Sequence, residues 1–166
     1  MNPTKITAAV VTVSDKGASG QRVDESGPVA VELLRGIGCE VLHCEIVPDE
    51  REIIRQALIR LSASVDLIIT NGGTGLSPRD VTPEATLDVI DREIPGIAEQ
   101  IRAEGMRFTR RSMLSRGVAG VRGATLIVNL PGSPKAVREN LSVVLDVIPH
   151  AVEKIKGGMT DCARSD

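Results

Sequence analysis

The run Leu67-Ile68-Ile69-Thr70-Asn71-Gly72-Gly73-Thr74-Gly75 passes from apolar and β-branched residues straight into three glycines within four positions. Its first four residues have the character of a strand buried on both faces, and its glycines that of a tight loop at the strand's end. Upstream, residues 5–13 (KITAAVVTV) share the buried-strand character. Residues 14–27 read as a loop with small polar residues, and residues 28–37 as a helix. Ser26 is placed to cap that helix, Pro28 falls in its first turn, and Gly36 or Gly38 stops it. Residues 41–47 form a second strand. Asp49 and Glu52 then have capping-box spacing, which makes Asp49 the expected N-cap of a helix carrying Ile53, Ile54, Ala57, Leu58 and Leu61 on one side. The order β-α-β-α-β predicts an α/β fold on a mostly parallel, open sheet with right-handed crossovers.

The downstream half keeps this pattern less cleanly. Thr82-Pro83-Glu84 predicts a helix start with Thr82 as N-cap. That helix is expected to continue over residues 87–92, to be interrupted at Pro95 and to resume over 97–106. Residues 107–123 match no periodic pattern; Arg107, Arg110, Arg111, Arg116 and Arg122 occur there without an acidic residue. This stretch reads as a solvated or subunit-facing surface rather than a substrate anion site. Residues 124–130 predict a fourth strand, and Ser133 and Pro134 the start of a long last helix. Val137, Leu141, Val144, Ile148, Val152 and Ile155 line one face of it, and Pro149 must kink or split it. Without an internal repeat or linker, residues 1–166 are expected to form one domain, with a flexible tail after about residue 157.

Composition removes several functions. A formal net charge of −2 in 166 residues argues against a general polyanion or nucleic-acid binder. Phe108 is the only aromatic residue, which excludes base-stacking platforms and aromatic cages. Phe108 itself is expected in the core or at a subunit contact. No apolar run approaches membrane-span length and the first residues carry no secretion-signal core, so a cytoplasmic protein without a membrane partner is expected. Cys39, Cys44 and Cys162 lack a ligand set for zinc and read as reduced thiols.

In an open parallel sheet, ligands sit beyond the C-terminal ends of the strands. Three such ends carry unusual sequence and should meet on one rim. The first holds Ser14, Asp15, Asp24, Ser26 and Gly27; the second Gly72, Gly73, Thr74, Gly75, Ser77, Arg79 and Asp80; the third Pro131, Gly132, Ser133 and Lys135. The second strand ends nearby at Asp49. The glycine loop suits phosphate, because bare backbone can approach closely and point N–H groups inward. It is neither a nucleotide P-loop nor a dinucleotide fingerprint. Asp49 and Asp80 read either as a cap and a turn residue or as carboxylates facing a metal-bound polyphosphate. Asp15 and Asp24 stand between loop solvation and ligand contact. Lys135, in a first helical turn where a cation is unfavourable without an anion, and Arg79, beside the glycine loop, read either as ligand contacts or as surface. No histidine lies in these segments, so a histidine base and a Ser-His-Asp set are not expected.

Residues 67–75, followed by Asp80-Val81-Thr82-Pro83-Glu84-Ala85-Thr86, resemble the signature of the MogA/MoaB molybdenum-cofactor biosynthesis family. The G domains of Cnx and gephyrin are its plant and animal relatives. Thr12-Val13-Ser14-Asp15, Asp24-x-Ser26-Gly27-Pro28, Val47-Pro48-Asp49-Glu50, Ser115-Arg116 and residues 129–134 (NLPGSP) agree in order and spacing. The resemblance implies a three-layer α/β/α sandwich, a homotrimer, and transfer of AMP from Mg-ATP to the terminal phosphate of molybdopterin with release of pyrophosphate. It places the family's two functional aspartates on Asp49 and Asp80, which are expected to be catalytic and to bind Mg²⁺. It places the glycine-loop threonine on Thr74. The other rim residues are expected to hold molybdopterin or ATP, with Ser133 on a second anion and Lys135 on the leaving pyrophosphate. Some relatives carry serine on the pterin side where this chain has Gly105, which puts one side-chain contact in question. The alternatives are a molybdopterin-binding protein without turnover and a CinA-like nucleotide-processing domain.

Overall fold

The computed structural model describes residues 5–158. The chain runs through β1 (Thr7–Val13), α1 (Asp15–Ala18), α2 (Ser26–Gly36), β2 (Glu40–Val47), α3 (Arg51–Ser62) and β3 (Leu67–Asn71). It continues with α4 (Thr82–Leu87), β4 (Arg92–Glu93), α5 (Pro95–Gly105), a 3-10 turn at Arg110–Leu114, β5 (Ala119–Arg122), β6 (Thr125–Leu130), α6 (Pro134–Ser142) and α7 (Ile148–Ile155). The sheet has the order β2-β1-β3-β6-β5-β4. β2, β1, β3 and β6 pair in parallel, while β5 and β4 extend the sheet antiparallel.

Successive residues of a strand face opposite sides, and here each side has its own core. Ala8, Val10, Leu67, Ile69, Leu126, Val128 and Leu130 pack with α2, α5, α6 and α7 through Ala30, Leu34, Ile101, Val137, Leu141, Ile148 and Val152. Ala9, Val11, Ile68 and Ile127 pack with α3 and α4 through Ile54, Leu58, Leu61 and Ala85. Helices therefore cover both faces of a sheet whose central strands are apolar throughout, and the result is the three-layer α/β/α sandwich. After β1 the chain goes to β2 on one side and then returns past β1 to β3 on the other. The sheet's switch point thus lies between the C-terminal ends of β1 and β3.

Several boundaries differ from the sequence expectation. Ser26 is the first residue of α2 rather than its cap, and the Asp24 carboxylate accepts from the N–H groups of Ser26 and Gly27, each at 3.0 Å. Asp49 does not cap α3, whose flanking residue is Glu50, and Glu52 bonds Arg55 and Gln56 instead of closing a capping box. Residues 14–27 include a turn of helix, α1, capped by Ser14. The α4 helix ends at Leu87, residues 92–93 pair as a strand, and Pro95 opens α5 rather than breaking a helix. The 107–123 stretch hides β5, joined to β6 by a turn with Gly123 at φ +57°. Pro149 splits the last helix and sits in the first turn of α7, where its missing N–H leaves no bond unmade. Cys39 is buried and Cys44 exposed, both as free thiols. Cys162 and most of the tail after 157 lie outside the described residues. Among the described residues, no helix is long and apolar enough to cross a membrane.

Candidate active site

A cavity of about 680 Å³ opens at the switch point. Its floor is the glycine loop, and two of that loop's residues have no alternative to glycine. Gly72 lies at φ +107° and Gly73 at φ +67°. A Cβ on Gly72 would run into the Val13 carbonyl, and one on Gly73 into the Thr82 hydroxyl. The loop is pinned by Gly72 N–H donating to Leu130 O at 3.0 Å and by the Thr82 hydroxyl donating to Gly72 O at 2.9 Å. It is thereby pressed between the ends of β1 and β6 and the start of α4.

A buried polar layer supports the rim. Asn71 donates to the hydroxyls of Thr12 at 2.9 Å and Ser26 at 2.7 Å, and both hydroxyls donate to Asp24. Burial works against ionisation of Asp24, but four donors, from Gly27, Thr12 and Ser26, outweigh it and hold its carboxyl below the ordinary range. Asp24 is thus a latch between β1 and α2 as much as a cavity wall.

Asp49 and Asp80 line the same cavity. Asp49 is held by a reciprocal clasp: its carboxylate accepts from Asp15 N–H at 2.8 Å, and its own N–H donates to the Asp15 carboxylate at 2.9 Å. Burial raises the Asp49 pKa, and the nearby charges of Asp15 and Asp80 add to the effect. Asp80 accepts from Ser77 N–H at 2.8 Å. A Cβ on Gly75 would lie 2.8 Å from the Asp80 carboxylate, so this glycine lets the acid lie against the loop.

Of the residues expected on the rim, Ser14, Asp24, Ser26, Asp49, Gly72, Gly73, Thr74, Gly75, Asp80, Pro131, Gly132 and Ser133 line the cavity. Asp15, Gly27, Ser77, Arg79 and Lys135 do not. Arg79 instead forks onto Asp15 at 2.8 Å and reaches Glu50 at 3.0 Å, which depresses the Asp15 pKa. Ser77 spends its N–H on Asp80, and Gly27 its N–H on Asp24. Lys135 is exposed and pairs with Glu139 at 3.7 Å. The Ser133 hydroxyl accepts from Ala136 N–H at 3.1 Å and caps α6. Sequence reading missed Arg22, the only lysine or arginine lining this cavity among the described residues. It lies in a loop with no periodicity, so nothing local distinguishes it from a solvated residue.

A second cavity, about 420 Å³, abuts the first. Thr74, Gly75 and Pro131 belong to both walls. Leu76, Leu114, Ala136 and Gly105 line the rest of it with Thr109, Arg111, Ser112, Ser115, Glu139 and Asn140, and most of its exposed wall is apolar. A side chain at position 105 would run into the Ser112 hydroxyl, which donates to Arg102 O at 3.0 Å. The Ser112 hydroxyl therefore occupies the space that a side chain at 105 would take.

The sequence profile described as "Probable molybdopterin binding domain" matches residues 9–150. This chain belongs to that family. It is 40% identical over 156 residues to the molybdopterin adenylyltransferase of Helicobacter pylori J99, covering 92% of this chain and 89% of that protein. It is 40% identical to Dictyostelium discoideum gephyrin over 94% of this chain, but spans only 24% of gephyrin's length. The crystal structure of the molybdopterin biosynthesis enzyme MoaB from Thermus thermophilus superposes with a TM-score of 0.87 at 52% identity, covering 92% of this chain and 97% of that one. CinA from Thermoplasma acidophilum shares the fold alone, at 20% identity and a TM-score of 0.67.

Proposed function

We propose that this chain is a molybdopterin adenylyltransferase of molybdenum-cofactor biosynthesis. The observation that carries the reading is the pair of cavities meeting at Thr74, Gly75 and Pro131, one lined by Asp49, Asp80, two further acidic residues and bare loop backbone, the other mainly apolar in its exposed wall. Such a pair suits two substrates whose phosphates must meet while their ring systems stay apart. The identity to named adenylyltransferases over most of both chains supports the same reaction.

In this reading ATP places its phosphates over the glycine loop and molybdopterin lays its ring in the apolar cavity. The terminal phosphate oxygen of molybdopterin attacks the α-phosphorus of ATP. The bond from that phosphorus to the bridging oxygen breaks, and pyrophosphate leaves with the electron pair. The attacking phosphate is already an anion at neutral pH, so no histidine base is needed. The difficulty is bringing anions together, which positioning and charge neutralisation overcome.

The donor set fits Mg²⁺. Asp49 and Asp80 offer hard carboxylate oxygens on one cavity, and no group of three metal-ligating side chains exists among the described residues. Two carboxylates with phosphate oxygens and water completing the shell is how Mg²⁺ is ordinarily held. The ion would neutralise phosphate charge that a cavity with Asp24, Glu25, Asp49 and Asp80 against Arg22 alone otherwise repels. Asp15, through its clasp, and Arg79, through Asp15, orient Asp49.

We place the reaction in the cytoplasm and the chain in a homotrimer; sedimentation at three times the monomer mass tests the assembly. The decisive experiment for the reaction is a coupled pyrophosphate assay with purified molybdopterin, ATP and Mg²⁺. Release that requires all three is expected. Molybdopterin binding without any release would make the chain a carrier instead.

A further inference from the structure

We propose that Arg116 is a positioning residue of this reaction: it holds the glycine loop and the Asp80 turn as one rigid wall between the two cavities. The proposal rests on the adenylyl-transfer reading above. Arg116 comes from the arginine-rich stretch whose sequence reads as a solvated or subunit-facing surface.

That stretch divides in the structure. Arg107, Arg110 and Arg111 are exposed, whereas the Arg116 side chain is only 35% exposed. Its Nε donates to Gly75 O at 2.8 Å, and its Nη2 donates to Asp80 O at 2.6 Å. Nη1 pairs with the Glu84 carboxylate, and the Arg116 N–H donates to Thr74 O at 2.9 Å. One residue therefore binds the carbonyls on both sides of the Leu76–Arg79 turn and the first turn of α4.

These acceptors are not incidental. Thr74 and Gly75 line both cavities, Asp80 lines the polar one, and Ser115 lines the apolar one. Fixing the Gly75 and Asp80 carbonyls to a single planar group sets the separation of the two ends of the turn. The Asp80 carboxylate is then set by Ser77 N–H and by its contact with Gly75. Glu84 completes the clamp. Its second oxygen is buried without a hydrogen-bond partner, and Arg116 is the main group that compensates its charge, with smaller contributions from the Glu84 backbone N–H and Arg51. A lysine cannot reproduce this, because an ammonium is a point charge without the rigid fork that spans three acceptors.

The test compares Arg116→Lys and Arg116→Gln with Arg102→Gln. Arg102 is a control for the same segment: it donates to Gly117 O at 2.9 Å and to Ser115 O at 3.5 Å, on either side of Arg116, but bonds neither Gly75 nor Asp80. Amide exchange of residues 74–81 is measured first, without substrates. Both Arg116 variants are expected to exchange there at least roughly tenfold faster than wild type, because the turn opens locally. With substrates, pyrophosphate release is expected to lose about 10- to 100-fold in kcat, the scale of a misplacement near 1 Å. The Mg²⁺ concentration for half-maximal release should rise several-fold. Arg102→Gln is expected to lower the melting temperature while leaving the exchange of 74–81 and the Mg²⁺ midpoint within about twofold. Wild-type exchange over 74–81 in Arg116→Lys, or a kcat loss no greater than that of Arg102→Gln, overturns the proposal. A wild-type chain that releases no pyrophosphate overturns the reaction instead, and the exchange data still decide whether Arg116 holds the wall.

Discussion

Asp49 sits where its own charge is unwelcome. Burial, with Asp15 and Asp80 close by, raises its pKa. A group whose folded pKa is raised contributes stability below its unfolded pKa and loses it as pH rises through the folded value. At neutral pH and without metal, Asp49→Asn is therefore expected to keep or raise the melting temperature, since an amide oxygen can still accept from Asp15 N–H. Pyrophosphate release should fall roughly 100-fold or more, because the substitution removes one of the two carboxylates that would hold Mg²⁺ against the phosphates. A melting temperature several degrees lower would contradict this account. Gly72→Ala tests the loop itself. With φ +107° and the Val13 carbonyl where a Cβ would go, it should cost about 2–4 kcal/mol in denaturant unfolding. At this scale the sequence is informative about residue type and silent about partner. The Asp49–Glu52 spacing is that of a capping box, yet the carboxylate bonds Asp15, a residue distant in sequence that no local pattern reveals.

Among the elements, α2 shows how a cap and a site share one side chain. Asp24 gathers the first N–H groups of α2 and the hydroxyls of Thr12 and Ser26. Asp24→Ala should cost about 1–2 kcal/mol, the scale of a lost helix cap. Because its folded pKa is depressed, Asp24 contributes stability above the ordinary carboxylate pKa and loses it as pH falls through the depressed value. Melting temperatures measured from neutral into acid are thus expected to fall less steeply for Asp24→Ala than for wild type. The parallel core strands were legible because burial on both faces demands continuous apolar runs. β4 and β5 were not. They are two and four residues long, and their pairing is made by β6 and a positive-φ glycine rather than by periodicity. The last helix was legible by its apolar stripe, and its division by Pro149.

Across the whole molecule, Phe108 separates the two parts of the aromatic question. It is 57% exposed, so it is not a core residue. Nor does it line the polar cavity. Phe108→Leu should leave unfolding within about 0.5 kcal/mol of wild type and ATP binding unchanged by calorimetry. A loss of ATP binding would mean that ring recognition uses this aromatic after all. The sequence by itself determined the α/β class, the parallel core and the three strand ends that meet on one rim, because apolar runs, helix starts and glycine loops are local consequences of backbone sterics and burial. Only the tertiary structure decided how the charges are used. Arg79 is spent on Asp15 and Glu50, Lys135 on Glu139, and Arg116 on the wall between the cavities. A long flexible cation takes whichever anion or carbonyl the fold brings within a few ångströms, and that proximity exists only once residues far apart in the chain have packed together.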